Sequence, residues 1–197
     1  MKNYALSIIA VLFVAQCSQS DIEWTKHGLS DAEERFSQLQ DINENNVSKL
    51  GLAWSFDTNT NRGHETTPIV VDRTMYITAP WSVVYALDAI TGDLKWTHDP
   101  QVERSWARNA CCDVVNRGAA YHDGRVYSAT IDGRLIALDA NSGDLIWETL
   151  TIDKDRPYTI TGAPRIIGNK IIIGNGGAEL GVRGYITAYD TEDGSEL

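Results

Sequence analysis

Basic residues are in short supply: 17 lysines and arginines face 27 aspartates and glutamates, for a formal net charge of −10 over 197 residues. The acidic residues are spread along the chain rather than gathered into a tail. This argues against nucleic acid and anionic membrane as partners, because both attract basic patches. It leaves ordinary solubility, or the steering of a cationic protein partner. Cysteine is scarcer, with only Cys17, Cys111 and Cys112. No second Cys or His pair stands at ligand spacing, which argues against a zinc site. No C-x-x-C-H haem-attachment motif occurs in these residues. Long apolar runs are missing except at 4–15, YALSIIAVLFVA, which is shorter than the span of about 20 residues a membrane helix needs. With Lys2 before it and QCSQS after it, this run reads as a secretory signal over 1–20. A lipoprotein signal on Cys17 is the rival, disfavoured because Gln16 stands where such signals carry a small residue. Sustained helical periodicity is also absent. Only 30–39, SDAEERFSQL, predicts a brief helix, with Ser30 as cap and Glu33 at capping-box spacing.

What the chain does have is a repeat. Residues 86–96 read ALDAITGDLKW, residues 137–147 read ALDANSGDLIW, and residues 188–197 read AYDTEDGSEL. Asp88, Asp139 and Asp190 are spaced by 51, as are Gly92, Gly143 and Gly194, and Trp96 and Trp147. Short β-branched and aromatic runs precede each copy, split by Asp-Gly or Gly-Asn turns in the manner of antiparallel hairpins. Four short strands per repeat predict the blade of a β-propeller, an all-β fold in which each unit buries its faces against its neighbours. The tryptophan is expected to wedge between blades while its N–H finds a backbone partner. The predicted organisation is a signal (1–20), an N-terminal arm (21–56) and about three blades (57–197) of a propeller that needs more. The spacing calls for a tryptophan at the first position beyond Leu197.

If Cys17 leaves with the signal, an exported chain keeps only Cys111 and Cys112. An oxidising compartment favours a disulfide between them over free buried thiols. Adjacent Cα atoms lie about 3.8 Å apart, short of the roughly 5.5–6 Å of ordinary disulfides. Such a bond closes a small ring rather than stapling distant segments.

Particular motifs make the pattern more specific: 34–56, RGHETTPIVVD (62–72), NACCDVVNRG (109–118), TITGAP (159–164) and GNGGAELGVRGYITAYD (174–190). On these the chain resembles the N-terminal part of the periplasmic quinoprotein alcohol dehydrogenases. This is the methanol/ethanol family that uses pyrroloquinoline quinone (PQQ), whose propeller has eight blades. The resemblance implies that the Cys111–Cys112 ring lies flat against one face of PQQ, as a packing surface rather than a redox relay. Arg117 matches the arginine that pairs with a PQQ carboxylate, for which a guanidinium fork is suited. Glu65 matches a glutamate at the cofactor's polar edge, and Thr161 a threonine that donates to it. Gly176, Gly177 and Ala178 match the segment whose backbone approaches the quinone closely, where small residues leave room. That segment reads G-x-G-x-x-E, and because it follows a strand without opening a helix it is not a dinucleotide fingerprint. Glu179 matches the carboxylate that ligates the metal beside PQQ, a Ca²⁺ or a lanthanide, either of which prefers oxygen ligands. His27, His64, His98 and His122 match no site.

The implied reaction is oxidation of a small primary alcohol to an aldehyde, with electrons passed to a cytochrome c or a haem domain. The implied catalytic aspartate, the asparagine ligand and the tryptophan platform all lie beyond residue 197. The chain alone is therefore expected to be inactive, and a homodimer is conceivable for the whole protein. Two other readings are a non-catalytic propeller of the outer-membrane assembly type, which needs neither vicinal cysteines nor GNGGAE, and a related PQQ sugar or polyol dehydrogenase.

Overall fold

The computed structural model describes residues 23–197; the signal-like segment and Cys17 lie outside them. Three antiparallel sheets follow one another along the chain. The first runs β1 (Ile69–Val71), β2 (Thr74–Thr78), β3 (Val84–Asp88), β4 (Leu94–His98). The second repeats it with β5 (Ala120–His122), β6 (Arg125–Ala129), β7 (Arg134–Asp139), β8 (Leu145–Leu150). The third holds β9 (Arg165–Ile167), β10 (Lys170–Gly174) and β11 (Ile186–Asp190). A bridge from Tyr189 to Glu196 begins a fourth strand beside β11. In each sheet the strands lie in chain order, as in a propeller blade.

Local chemistry explains the hairpins. A two-residue turn between right-twisted strands wants positive φ at both central residues. Asp123 and Gly124 supply φ of 47° and 73°, and Asp72 and Arg73 adopt 46° and 60° without a glycine. Both complete sheets carry a bulge at the same phase, between Ala86 and Leu87 and between Ala137 and Leu138.

The repeated residues each have a task. Asp88 accepts the backbone N–H groups of Ile90 and Thr91, and Asp139 those of Asn141 and Ser142, so each carboxylate closes the turn after its strand. The glycines at 92, 143 and 194 sit at φ of 77°, 75° and 71°, and each receives an indole. A Cβ on Gly92 would meet Trp54 at 2.5 Å, one on Gly143 would meet Trp96 at 2.6 Å, and one on Gly194 would come within 2.7 Å of Trp147. The indole N–H groups donate to the carbonyls of Ala89, Ala140 and Thr191 at 3.3, 2.9 and 3.2 Å. Ala86 and Ala137 stand opposite Trp96 and Trp147 in the strand register, where a small side chain leaves the ring space. Trp54 of the arm thus docks on the first blade as Trp96 docks on the second.

The cores lie between sheets rather than within one. Val84, Ala86 and Trp96 of the first sheet pack with Val126, Ile136 and Leu138 of the second. Tyr127, Leu135 and Ala137 of the second pack with Ile171, Ile173 and Tyr189 of the third. Strand β7 is accordingly buried on both faces, whereas the outer β8 is mostly exposed.

The helix expected at 30–39 does not form. Ser30 Oγ does accept the N–H of Ala32, but Glu33 and Arg35 adopt φ of 54° and 55°, outside helical space. The Glu33 carboxylate turns to Arg165 at 3.0 Å and His27 at 3.4 Å instead of returning to the cap. A pairing across 132 residues outcompetes a local capping box.

The turn carboxylates give a pH expectation. Backbone N–H donors hold Asp88 and Asp139 below the usual carboxylate value of 3.8. Their contribution is present above that value and fades as pH falls through it toward the lower folded-state value. Asp139→Asn, which keeps an acceptor oxygen, should leave the unfolding midpoint of the full-length protein nearly unchanged at neutral pH. It should also shrink the loss of midpoint between pH 5 and pH 3; an unchanged acid response would count against the capping role.

Candidate functional site

Glu65, Arg117 and Thr161 occupy corresponding places in three successive blades, just ahead of β1, β5 and β9. Strands β5 and β9 lie against each other, so the loops leading into them converge. Arg117 Nη2 stands 2.8 Å from Glu65 Oε2, and Arg117 Nη1 donates to the Thr161 hydroxyl. The backbones are stitched too. The N–H of Arg117 donates to the Thr161 carbonyl at 2.9 Å, and the N–H of Thr67 donates to the Arg117 carbonyl at 3.1 Å. The Arg117 and Glu65 side chains remain 47% and 41% exposed. This is an open guanidinium fork flanked by a hydroxyl and a carboxylate, not a sealed structural pair, and it suits recognition of a planar anion.

The Cys111–Cys112 disulfide is formed, with Cα atoms 3.8 Å apart, and both residues are exposed. Apolar anchors hold the loop on either side. Ala110 and Val114 pack with Val102, Ile131, Trp81 and Trp106, and the Val114 carbonyl accepts the N–H of Trp81 at 2.9 Å. Asp113, directly after the disulfide, pairs with Arg62. Asn116 is buried, donating to the Ala129 carbonyl at 2.8 Å and accepting the Gly118 N–H at 2.9 Å.

Gly176 pairs with Thr159 through its backbone, which brings its segment beside the one carrying Thr161. Gly177 is required by its own chain: at φ 116°, a Cβ there would lie 2.5 Å from the Pro157 carbonyl oxygen. The expectation that this segment opens no helix needs correcting, since Ala178–Leu180 form one 3₁₀ turn. At three residues it is too short to offer the helix N-terminus of a dinucleotide site. Glu179 is exposed on that turn and enters no ion pair among the described residues. No three His, Cys, Asp or Glu side chains gather among the described residues.

The four histidines stay out of this cluster. Burial and the nearby Arg165 hold the His27 imidazole below its ordinary value, so it is neutral at pH 7. His98 Nδ1 meets the Gly143 carbonyl and His64 the Thr58 hydroxyl. Sequence reasoning missed Arg62, Asp113, Trp81 and Trp106. Trp106 joins two clusters, packing near the disulfide loop and also with Ile152, Tyr158 and Val182 beside Gly177. Its N–H donates to the Tyr158 carbonyl at 3.1 Å. The one available signal was that Arg62 and Asp113 stand one 51-residue period apart.

Residues 24–197 match the family described as PQQ glucose/ethanol/alcohol dehydrogenase, beta-propeller domain. The chain is 60% identical over 169 residues to 1-butanol dehydrogenase (cytochrome c) of Thauera butanivorans, covering 85% of this chain and 24% of that protein. Among solved structures, quinohemoprotein alcohol dehydrogenase ADH-IIG of Pseudomonas putida superposes with a TM-score of 0.88 at 55% identity, covering 89% of this chain and 26% of that one. A europium-containing methanol dehydrogenase superposes with a TM-score of 0.85 at 43% identity, covering 89% of this chain and 31% of that one. The chain spans about a quarter of the length of the curated relatives it matches. The blades, the docked tryptophans and this match agree, and the chain belongs to the β-propeller family of PQQ-dependent alcohol dehydrogenases.

Proposed function

We propose that this chain is the cofactor-cradling part of a periplasmic PQQ-dependent dehydrogenase that oxidises small primary alcohols to aldehydes. Its electrons go to a cytochrome c or a haem domain, as the names of its relatives suggest. The observation that carries this reading is the Glu65–Arg117–Thr161 cluster, with an exposed vicinal disulfide on the same loop as Arg117. PQQ is a planar tricarboxylate, and the donor set fits it: a half-exposed guanidinium and a hydroxyl for a carboxylate, and an exposed disulfide ring for a flat face. When bound, it supplies the two-electron acceptor that amino-acid side chains lack. Arg117 and Thr161 would bind and orient it, and Cys111–Cys112 would cover it. Glu65 would accept from its polar edge, while Gly176, Gly177 and Ala178 would leave backbone room. Glu179 would lend one carboxylate to a Ca²⁺ or lanthanide ion that polarises the quinone oxygen.

The full-length protein is expected to bind PQQ with one such cation and to oxidise short alcohols with an artificial dye acceptor. Glu179→Gln, which keeps the shape and removes the charge, should lower metal content and reduce alcohol oxidation by about 100-fold or more, the scale of losing one electrostatic stabiliser. Full activity and full metal occupancy in that variant would sink the assignment.

A further inference from the structure

Two ion pairs of opposite sense connect the same two loops. Arg62 and Glu65 lie on the loop leading into β1, and Asp113 and Arg117 on the loop leading into β5. Arg62 pairs with Asp113, and Glu65 with Arg117. Backbone contact continues the seam, with the Thr67 N–H on the Arg117 carbonyl and Gly118 so near that a Cβ would meet the Thr67 oxygen at 3.1 Å. The two pairs nevertheless differ in how firmly they are held. Arg62 is tethered twice, at Asp113 and over the Trp81 ring, where its guanidinium carbon lies 5.5 Å from the centroid. Arg104 stands at 4.2 Å from the same ring, and Trp81 itself is tied to Val114 through its backbone. Asp113 adopts φ 81° and its Oδ1 also accepts the Val114 N–H at 2.8 Å, so its carboxylate has little freedom to swing away. Arg117 also has two partners, Glu65 and the Thr161 hydroxyl, but the Glu65 carboxylate has no second tie among the described residues and is a partner that another carboxylate can replace.

We propose that Arg62 is a positioning residue. Its pair with Asp113 is a standing clasp that keeps the Cys111–Cys112 loop in register with the loop carrying Glu65, while the neighbouring Glu65–Arg117 pair is the one that opens to an incoming carboxylate ligand. The identity of that ligand as PQQ rests on the function proposed above; the clasp does not. An exposed pair of this kind adds little to global stability, so its role is local and its loss should leave the thermal midpoint nearly unmoved.

The test uses the full-length protein and the variants Arg62→Leu, Arg62→Lys, Asp113→Asn and the Leu/Asn double variant. Asparagine tolerates a left-handed backbone and keeps an oxygen for the Val114 N–H, so only the charge is lost. The first readout needs no cofactor: the rate at which dithiothreitol reduces Cys111–Cys112 in the apo form, followed by alkylation. Arg62→Leu and Asp113→Asn should each be reduced severalfold faster, Arg62→Lys should match the wild type, and the double variant should be no faster than either single one. The second readout is the PQQ dissociation constant, expected to rise about tenfold in the same two variants, the scale of one coupled pair. Equal reduction rates throughout, additive effects in the double variant, or failure of lysine to restore the rate would each overturn the clasp. A wild type that binds no PQQ while the reduction pattern holds would overturn the dehydrogenase reading and leave the clasp standing.

Discussion

Trp96→Ala is expected to destabilise the full-length protein by about 3–5 kcal/mol, the usual cost of emptying a buried tryptophan site. The ring is 8% exposed and lies against Gly143, while its N–H and the Tyr76 hydroxyl both donate to the Ala140 carbonyl. Truncation removes the apolar contact between two blades, opens a cavity and strips one donor from a buried carbonyl. Gly143→Ala should fail for the converse reason. It would force a methyl to 2.6 Å from the indole at a φ of 75° that alanine resists. Trp54 and Trp147 dock alike, so Trp54→Ala should destabilise too. Urea-unfolding midpoints of the three variants check these expectations. A Trp96→Ala midpoint within error of the wild type would mean that the docked indole does not hold the blades together.

Arg117→Leu should weaken PQQ binding to the full-length apoprotein by roughly 30- to 5000-fold, the range expected when about 2–5 kcal/mol of a desolvated charge contact is lost. The guanidinium reaches Glu65 with one nitrogen and Thr161 with another. It is therefore already spread in the plane in which a carboxylate is bound by two parallel hydrogen bonds. Arg117→Lys should recover only part of the affinity, because an ammonium supplies the charge without the fork. Titration of apoprotein with PQQ, followed by tryptophan fluorescence, measures both. An Arg117→Leu variant with wild-type affinity would place the carboxylate contact elsewhere.

The blade pattern was legible because each repeated residue answers a local demand that recurs every 51 positions. The aspartate caps a turn, the glycine takes a left-handed φ, the alanine makes room and the tryptophan fills it. The companion tyrosines, Tyr76 and Tyr127, obey the same period and donate to the same carbonyls as the tryptophans. They passed unnoticed because a tyrosine in a strand has many ordinary roles. Trp54 was hidden for a different reason: it lacks the A-x-D-x-x-x-G that precedes the other two, so only its docking on Gly92 reveals its kinship. The false helix at 30–39 came from reading Glu33 against its sequence neighbours, when its partner Arg165 lies far along the chain. In the candidate site, Glu65, Arg117 and Thr161 were singled out one at a time through motif resemblance, yet nothing local said that they touch. Gly177 was assigned room for a cofactor, and the structure adds a prior claim on it, the Pro157 carbonyl.

The docking runs in one direction: Trp54 onto Gly92, Trp96 onto Gly143, Trp147 onto Gly194. Each blade is sealed by the one made after it. The indole of one unit is housed only when the turn glycine and carbonyl acceptor of the next unit are in place. Until those following 51 residues have folded, the preceding sheet presents an apolar flank with its indole unhoused. A break within a unit therefore uncovers the unit before it, whereas a break just after the turn glycine leaves that earlier flank sealed.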